Sequence, residues 1–524
     1  MNEVTVKENS QAAVPLGPPA VSSDSHVTRL ATGAGVSMAG IVGGRGLHAL
    51  SQVLLARLLG PELFGLYALG WTILRLVGAF APLGLDKGVI RFAAGFWRKD
   101  TASFKGVVSR SVITAFLAGF LVGVLLYLAA PWAEVAFHKP GMAPVLRWFA
   151  FVSPFLATMK VLVATTEITQ RMQFGIYAEE FSQPVANVIL VVLFAWLGWG
   201  ILGAVAAAIG SVALAVIVAG YYVLRLFPEM RTVRAKAAVS FPTLVAYSLP
   251  TALAAVFTSL TGWTDRLFIG YYRPAAEIGV YQALSQSALL YALSLRAINS
   301  IFAPMIAHLY QNREMAHLNR LFKVSTKWAL YASLPVFLTI SFAPTALMTV
   351  VFGQDYAGGG LPLVILSIGQ IVNVATGSVG YILLMTGRER QWMTIAVSSL
   401  LLNVALNWLL VPRWGLVGAA GASAVSTSLL YLTGLAWVRR TLKLWPYDRR
   451  YLKGLLATAV TVVVLIVASL VAPAGALWQL ALTAALTAAA FFGALLLLGL
   501  DEEDKEFIRL FWQRLRGLRG RQAR

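Results

Sequence analysis

Trp199-Gly200-Ile201-Leu202-Gly203-Ala204 returns 215 residues later as Trp414-Gly415-Leu416-Val417-Gly418-Ala419. Three further correspondences surround this pair. Phe64-Gly65-Leu66-Tyr67 returns 214 on as Ile278-Gly279-Val280-Tyr281, and Asn187-Val188-Ile189-Leu190 returns 216 on as Asn403-Val404-Ala405-Leu406. Pro131 and Phe137 have counterparts in Pro344 and Phe352, 213 and 215 on. Apolar helices share short strings by chance, but matches in one order at nearly one offset point to an internal duplication.

The duplicated material is apolar. Hydrophobic residues make up 58% of the chain and charged residues 12%, against about a quarter charged in a soluble domain. A spanning helix needs about 20 mostly apolar residues. Such stretches fall near 34–56, 63–85, 107–130, 145–167, 180–198 and 201–224, then near 243–265, 278–300, 327–349, 361–385, 392–411 and 415–437, and finally near 452–472 and 476–499. The expected fold is an all-α polytopic membrane protein with fourteen transmembrane helices. Two six-helix lobes, residues 29–226 and 243–440, are related by pseudo-two-fold symmetry and joined by a cytoplasmic linker, 227–242. Residues 441–500 add two C-terminal helices. Two such lobes rocking around a shared central site are the usual plan of a transporter.

The net charge of +20 resembles a nucleic-acid footprint, but the charge lies in short loops and not along one soluble face. The alternate loops on one side, with both termini, hold 31 Lys and Arg; the opposite loops hold five, Arg57, Lys139, Arg266, Arg273 and Arg413. The basic side is the cytoplasmic one, and anionic lipid attracts it. Residues 1–28 have no apolar run and read as a disordered cytoplasmic tail. In residues 501–524, Phe507, Phe511, Leu515 and Leu518 recur at helical spacing among arginines, which reads as a basic amphipathic helix on the membrane surface or a solvated tail. The chain has no cysteine, which excludes disulfides, thiolate metal sites and cysteine nucleophiles.

Ionisable residues inside a membrane are costly and tend to face a cavity or a partner. The deep basic residues are Arg45, Arg75, Lys160 and Arg296; the acidic ones are Glu167 and Asp265. The basic excess favours an anionic ligand. Arg45, His48 and Gln52, at i, i+3 and i+7, lie within about 60° of one another on a helix. Thr258, Thr261 and Asp265 form a second stripe, Gln282, Ser285, Gln286, Arg296 and Ser300 a third, and Ser153, Lys160 and Glu167 a fourth; Gln370 and Asn373 lie together. Each has a structural alternative. Arg75 and Arg296 could snorkel to headgroups, Asp265 could pair with Arg266, His48 could be a packed histidine, and Asn187 and Asn403 could join helices. Gly40 and Gly44 read as close helix packing. No histidine or acid cluster has metal spacing, and no Walker loop occurs; the reading is not an enzyme and needs no cofactor.

Leu58-Leu59-Gly60-Pro61-Glu62-Leu63-Phe64-Gly65-Leu66-Tyr67 resembles the turn between the first two helices of the polysaccharide flippases, within the multidrug/oligosaccharidyl-lipid/polysaccharide exporter superfamily. Ile301-Phe302-Ala303-Pro304-Met305-Ile306-Ala307 and Val350-Val351-Phe352-Gly353-Gln354-Asp355-Tyr356 resemble their segments after the eighth helix and before the tenth. The resemblance covers roughly residues 30–500. It implies export of polyprenyl-diphosphate-linked glycans across the bacterial inner membrane, with membrane lipids and other glycan-assembly proteins as partners. It leaves the glycan and the coupling ion, H+ or Na+, unnamed. The early cluster of arginines found in the peptidoglycan-precursor relatives is missing, and Arg45 stands nearly alone. Arginine suits a diphosphate, and Gln52, Gln282, Gln286, Gln370 and Asn373 suit sugars. The alternatives are a cation-coupled multidrug antiporter, which needs acids in its cavity, and a polytopic glycan polymerase or ligase, which needs a large outer loop.

Overall fold

The computed structural model describes residues 23–169, 173–236, 239, 248, 260, 262–470, 475–499 and 501. The repeated Trp-Gly-x-x-Gly-Ala string marks a chain reversal twice. Gly200 and Gly415 both take left-handed backbone, with φ of 54° and 52°, a conformation open to glycine at no steric cost. Each reverses the chain between two apolar helices. The second glycine of each string then packs against the preceding helix. A Cβ on Gly203 would lie 2.9 Å from that of Phe194, and one on Gly418 would lie 2.4 Å from the Leu410 carbonyl oxygen.

The helices follow the apolar stretches. Ser23–Gly78 is one continuous assignment broken at Gly60, where φ is 72°. It is followed by Leu85–Phe96, Thr101–Phe137, Met142–Ala150 with Val152–Glu167, and Gln173–Gly175. A π-helix, Ile176–Ser182, leads into Gln183–Trp196, and Gly200–Leu226 follows. The second half holds Thr264–Tyr272, Ala275–Gln311, Met315–Phe342, Pro344–Phe352, Gly360–Thr376, Val379–Met385, and Glu389–Leu442, which is broken at Gly415. Tyr451–Ser469 and Ala476–Leu497 close the chain.

Three details differ from the sequence reading. Leu85–Phe96 is a helix inside an expected loop; Leu85, Val89 and Ala93 bury its apolar face. The first helix begins at Ser23, inside the stretch expected to be unstructured. Met315–Phe342 and Pro344–Phe352 meet at 91°, because Pro344 cannot donate the hydrogen bond that would continue the helix. The expected amphipathic tail beyond 501, and Thr258 and Thr261, lie outside the described residues.

Among the described residues nine helices are long and apolar enough to cross a membrane, ten if the bent pair counts as one span. Their outer faces are greasy. Ile113, Leu117, Phe120, Leu121 and Leu128 line one side of Thr101–Phe137 and are all more than half exposed. Contiguous apolar surface on this scale suits lipid and not water. The protein is an all-helical, multi-pass membrane protein.

The two halves of the chain meet along a seam. The first helix and Ala275–Gln311 share its centre. A Cβ on Gly65 would lie 1.8 Å from the Ala275 carbonyl oxygen, and one on Gly279 would lie 2.0 Å from that of Pro61. Only backbones without side chains can approach so closely. At the same end Arg57 donates to the Val350 carbonyl and, at 2.8 Å, to that of Val351. Tyr356 Oη donates to the Ala56 carbonyl at 2.8 Å.

Candidate functional site

Behind the seam, within the first half, lies a cavity of about 130 Å³. Three helical segments supply most of its polar wall, and Gly200–Leu226 adds Ser211. The segment before Gly60 supplies Arg45, His48 and Gln52, and the segment after it supplies Tyr67, Trp71 and Arg75. The first trio is the stripe expected from helical phase. The second, at i, i+4 and i+8, also shares one face. The third wall carries Glu179, Glu180, Gln183 and Asn187.

This third wall departs from regular α-helix. Ile176–Ser182 is π-helical, a rare form that recurs at functional sites. The first helix is pressed against it. A Cβ on Gly44 would lie 1.9 Å from the Glu180 carbonyl oxygen, so Gly44 does serve close packing. Arg45, the next residue, is thereby set beside Glu180, with Nε 3.5 Å from Oε2. Lys160 Nζ donates to Glu179 Oε1 at 2.5 Å. Each carboxylate therefore already holds one cation.

Arg75 is placed differently. Its Nε is buried without a hydrogen-bond partner. No described carboxylate comes within ion-pair distance of it, and its guanidinium stacks 5.0 Å above the Trp71 ring. A buried guanidinium Nε that lines a cavity with no hydrogen-bond acceptor is a contact open to an anion, although Arg75 also feels the nearby charge of Glu179.

A second polar cluster sits in the other half. Asp265 is buried and accepts from Tyr281 Oη at 2.6 Å, from Asn407 Nδ2 at 2.9 Å, from Asn403 Nδ2 at 3.3 Å and from Ser423 Oγ. All four contacts converge on its two carboxyl oxygens. Arg266 does not join it. Its Nε donates to Gln282 Oε1 at 2.6 Å and its Nη1 to the Gly262 carbonyl at 2.7 Å. Gln282 Nε2 donates in turn to Gln52 Oε1 at 3.0 Å. Gln52 and Gln282 thus link the first-half cavity to the second half.

The sequence candidates therefore do not form one site. Arg45, His48, Gln52 and Arg75 line the cavity, and Lys160 reaches its wall through Glu179. Asp265 and Gln282 belong to the second cluster. Asn373 is buried on Gly360–Thr376 with its Oδ1 unpaired; Gln370 on the same helix and Gln286 on Ala275–Gln311 are half-buried. Arg296 lies on Ala275–Gln311, its side chain outside the described residues. Asn187 and Asn403 both join helices, Asn187 accepting from Ser51 Oγ and donating to Ser211 Oγ at 3.3 Å.

Two site residues escape the sequence reading, Glu179 and Glu180. Their signal is a polar stripe through Glu179, Glu180, Gln183 and Asn187 at helical spacing. A helix start placed at residue 180 hides it. Arg45 thus meets neither of the deep acids the sequence shows, Asp265 and Glu167, but Glu180, and the acids near the cavity are more numerous than the sequence count suggests.

A family model described as polysaccharide biosynthesis protein matches residues 30–310. The capsular polysaccharide biosynthesis protein CapF of Staphylococcus aureus is 20% identical over 186 residues, 36% of this chain and 47% of that one. The probable low-salt glycan biosynthesis flippase Agl15 of Haloferax volcanii is 24% identical over 180 residues, 34% of this chain and 38% of that one. The chain thus spans less than half the length of these curated relatives. Among solved structures, the fold is similar to the lipid II flippase MurJ in an inward closed conformation, with TM-score 0.69, 14% identity and coverage of 88% of this chain and 99% of that one. It is also similar to an inward-facing multidrug resistance transporter of the MATE family, with TM-score 0.63, 15% identity and coverage of 76% and 94%.

Proposed function

This chain belongs to the polysaccharide biosynthesis protein family, and from that premise we propose that it is a flippase for lipid-linked glycans and not an enzyme. It moves polyprenyl-diphosphate-linked oligosaccharide or polysaccharide precursors from the cytoplasmic to the outer leaflet of the bacterial inner membrane. The observation that carries this is Arg75, an open guanidinium in a cavity whose two carboxylates are each occupied by a cation. The diphosphate enters there, the glycan lies toward Gln52 and Gln282 at the seam, and the polyprenyl tail stays in lipid.

The full architecture is fourteen helices in two six-helix lobes with two appended. The breaks at Gly60 and Gly415 divide two long helices in two. Gly65 against Ala275 and Gly279 against Pro61 are reciprocal contacts at an offset of 214, which supports a pseudo-two-fold axis through the seam. With both termini cytoplasmic, the Arg57, Val350 and Tyr356 contacts lie outside, and the seam is closed there. Rocking the lobes about this seam gives alternating access; the energy comes from a gradient of H+ or Na+.

The carboxylates in the cavity favour one other reading, a multidrug antiporter that takes cationic ligands. The test separates the two. A strain lacking the protein should accumulate lipid-linked glycan on the cytoplasmic leaflet. Normal surface glycan together with new drug sensitivity would give the antiporter reading instead.

A further inference from the structure

We propose that Glu180 is a resident counter-ion for Arg45 that an incoming phosphate displaces, and that the displacement takes up a proton, so that headgroup binding is linked to pH. The inference rests on the reading of the cavity as an anion site. It adds a regulatory role for a residue that the reading itself leaves unexplained.

Backbone geometry sets up the pair. Gly44 lets the first helix touch the π-helical turn at Glu180. That contact holds Arg45 and Glu180 together with the cavity empty. The two carboxylates are not equivalent. Glu179 is held by Lys160 at 2.5 Å, in a direct hydrogen bond. Glu180 is held more loosely, at 3.5 Å.

Charge balance then favours an exchange of partners. Arg45, Arg75 and Lys160 supply three positive charges, against two from Glu179 and Glu180. Arg75 alone gives a phosphate one partner. A diphosphate brings at least two negative charges, and Arg45, which touches Glu180 through Nε alone, turns its whole five-donor fork to the phosphate only by leaving Glu180. An ionised Glu180 abandoned beside a phosphate would face a like charge at close range. Protonation removes that repulsion and turns a competitor into a hydrogen-bond donor to the phosphoryl oxygen. Arg45 and Arg75, from either side of the Gly60 break, then close on the phosphate together.

Among the described residues, charged and titratable groups approach Glu180 from several walls. Ser23–Gly78 presents Arg45, His48, Tyr67 and Arg75; Val152–Glu167 carries Lys160, paired with Glu179, and Glu167, whose charge acts on Glu179; Gly200–Leu226 presents Ser211 to the cavity and Tyr222 to Tyr177; Glu179 is adjacent in sequence. His48 and Glu179 are further proton-binding groups on the cavity wall, and the test must separate them from Glu180.

The experiment uses the full-length protein in lipid nanodiscs with farnesyl diphosphate as probe. Calorimetric titration at pH 7 in buffers of different ionisation enthalpy counts the protons taken up. The expected result is about one proton per ligand, with affinity falling up to tenfold per pH unit above neutrality. Glu180→Gln should bind more tightly at pH 8 and take up almost no proton. Glu179→Gln and His48→Gln should keep the uptake. Binding by the wild type that depends on Arg75 but carries no proton overturns the proposal and leaves the anion site standing. So does uptake that Glu180→Gln retains and His48→Gln or Glu179→Gln removes. If farnesyl diphosphate does not bind, or binds equally well to Arg75→Ala, the anion-site reading fails and this inference fails with it.

Discussion

Gly65 and Gly279 face each other across the seam, and a Cβ on Gly279 would lie 3.1 Å from the Gly65 amide nitrogen. That Cβ would also stand 2.0 Å from the Pro61 carbonyl oxygen. Neither obstacle is a flexible side chain, so only a shift of one half against the other makes room. Gly279→Val should therefore hold the seam ajar while leaving each half folded. The chain has no cysteine, so a single introduced thiol reports without background. Gln52→Cys lies just behind the seam. An external, membrane-impermeant maleimide should label it several-fold faster when Gly279→Val is also present. Equal labelling rates would mean that the seam does not control access.

Asp265 offers a test of stability. Its four partners all donate, so Asp265→Asn would turn an amide NH2 toward a set of donors. The change keeps the shape and still breaks the network. A lost hydrogen bond to a charged group is worth about 1.5–3 kcal/mol. Asp265→Asn should lower the thermal midpoint in detergent about as much as Asp265→Ala does. An unchanged midpoint for Asp265→Asn would show that the carboxyl is already protonated, since a neutral acid has a donor of its own.

How far these sites were legible in sequence depends on which physical rule produced them. The turns at Gly200 and Gly415 were readable because a left-handed backbone demands glycine, and the demand repeats with the duplication. Arg45, His48 and Gln52 were readable because helical phase places them on one face, and the structure sets all three in one cavity. Glu180 was not readable as their partner. Its stripe with Glu179, Gln183 and Asn187 shows only when the helix is begun before residue 180, in the segment that the π-helical turn occupies. Asp265 illustrates the other limit. A lone acid beside Arg266 in sequence suggests a pair, yet neighbours on a helix point about 100° apart. The true partners come from Ala275–Gln311 and Glu389–Leu442, up to 158 residues away.

The C-terminal end of the last helix is fastened by charge. Asp501 accepts from Lys453 Nζ at 2.7 Å and from Lys327 Nζ at 3.0 Å. Burial pushes its carboxyl up, but the hydrogen bonds from Lys453 and Lys327 outweigh burial and hold it below the usual carboxylate range. A group with a depressed folded pKa stabilises above its unfolded pKa, near 3.9, and that stability is lost as pH falls through the folded value. Asp501→Asn should therefore cost about 1–3 kcal/mol at pH 7, with little change down to pH 5. The difference from wild type should shrink below about pH 4. Thermal unfolding at pH 7, 5 and 3.5 measures it. A difference that grows on acidification would contradict the assignment.

Arg45 and Arg75 should respond differently to removal, because one stands in an ion pair and the other keeps a buried Nε without a hydrogen bond. The Arg45–Glu180 pair is loose, and its side chains are 42% and 26% exposed. Pairs of this kind contribute about 0–1 kcal/mol, so Arg45→Ala should leave the thermal midpoint nearly unmoved. Arg75 carries a buried unpaired Nε, which costs free energy in the empty protein. Its stacking on Trp71 returns about 0.5–1 kcal/mol. Arg75→Ala should therefore be neutral or slightly stabilising. Binding should run the other way. Each arginine would lose a charge-assisted bond to the diphosphate, weakening farnesyl diphosphate about ten- to hundredfold. Arg75→Lys should recover part of that loss, since a lysine keeps the charge but not the planar fork. Arg45→Lys should recover more, because its position at the cavity mouth leaves an ammonium room to move. If Arg75→Ala instead unfolds the protein, its guanidinium holds the helices together and is not waiting for a ligand.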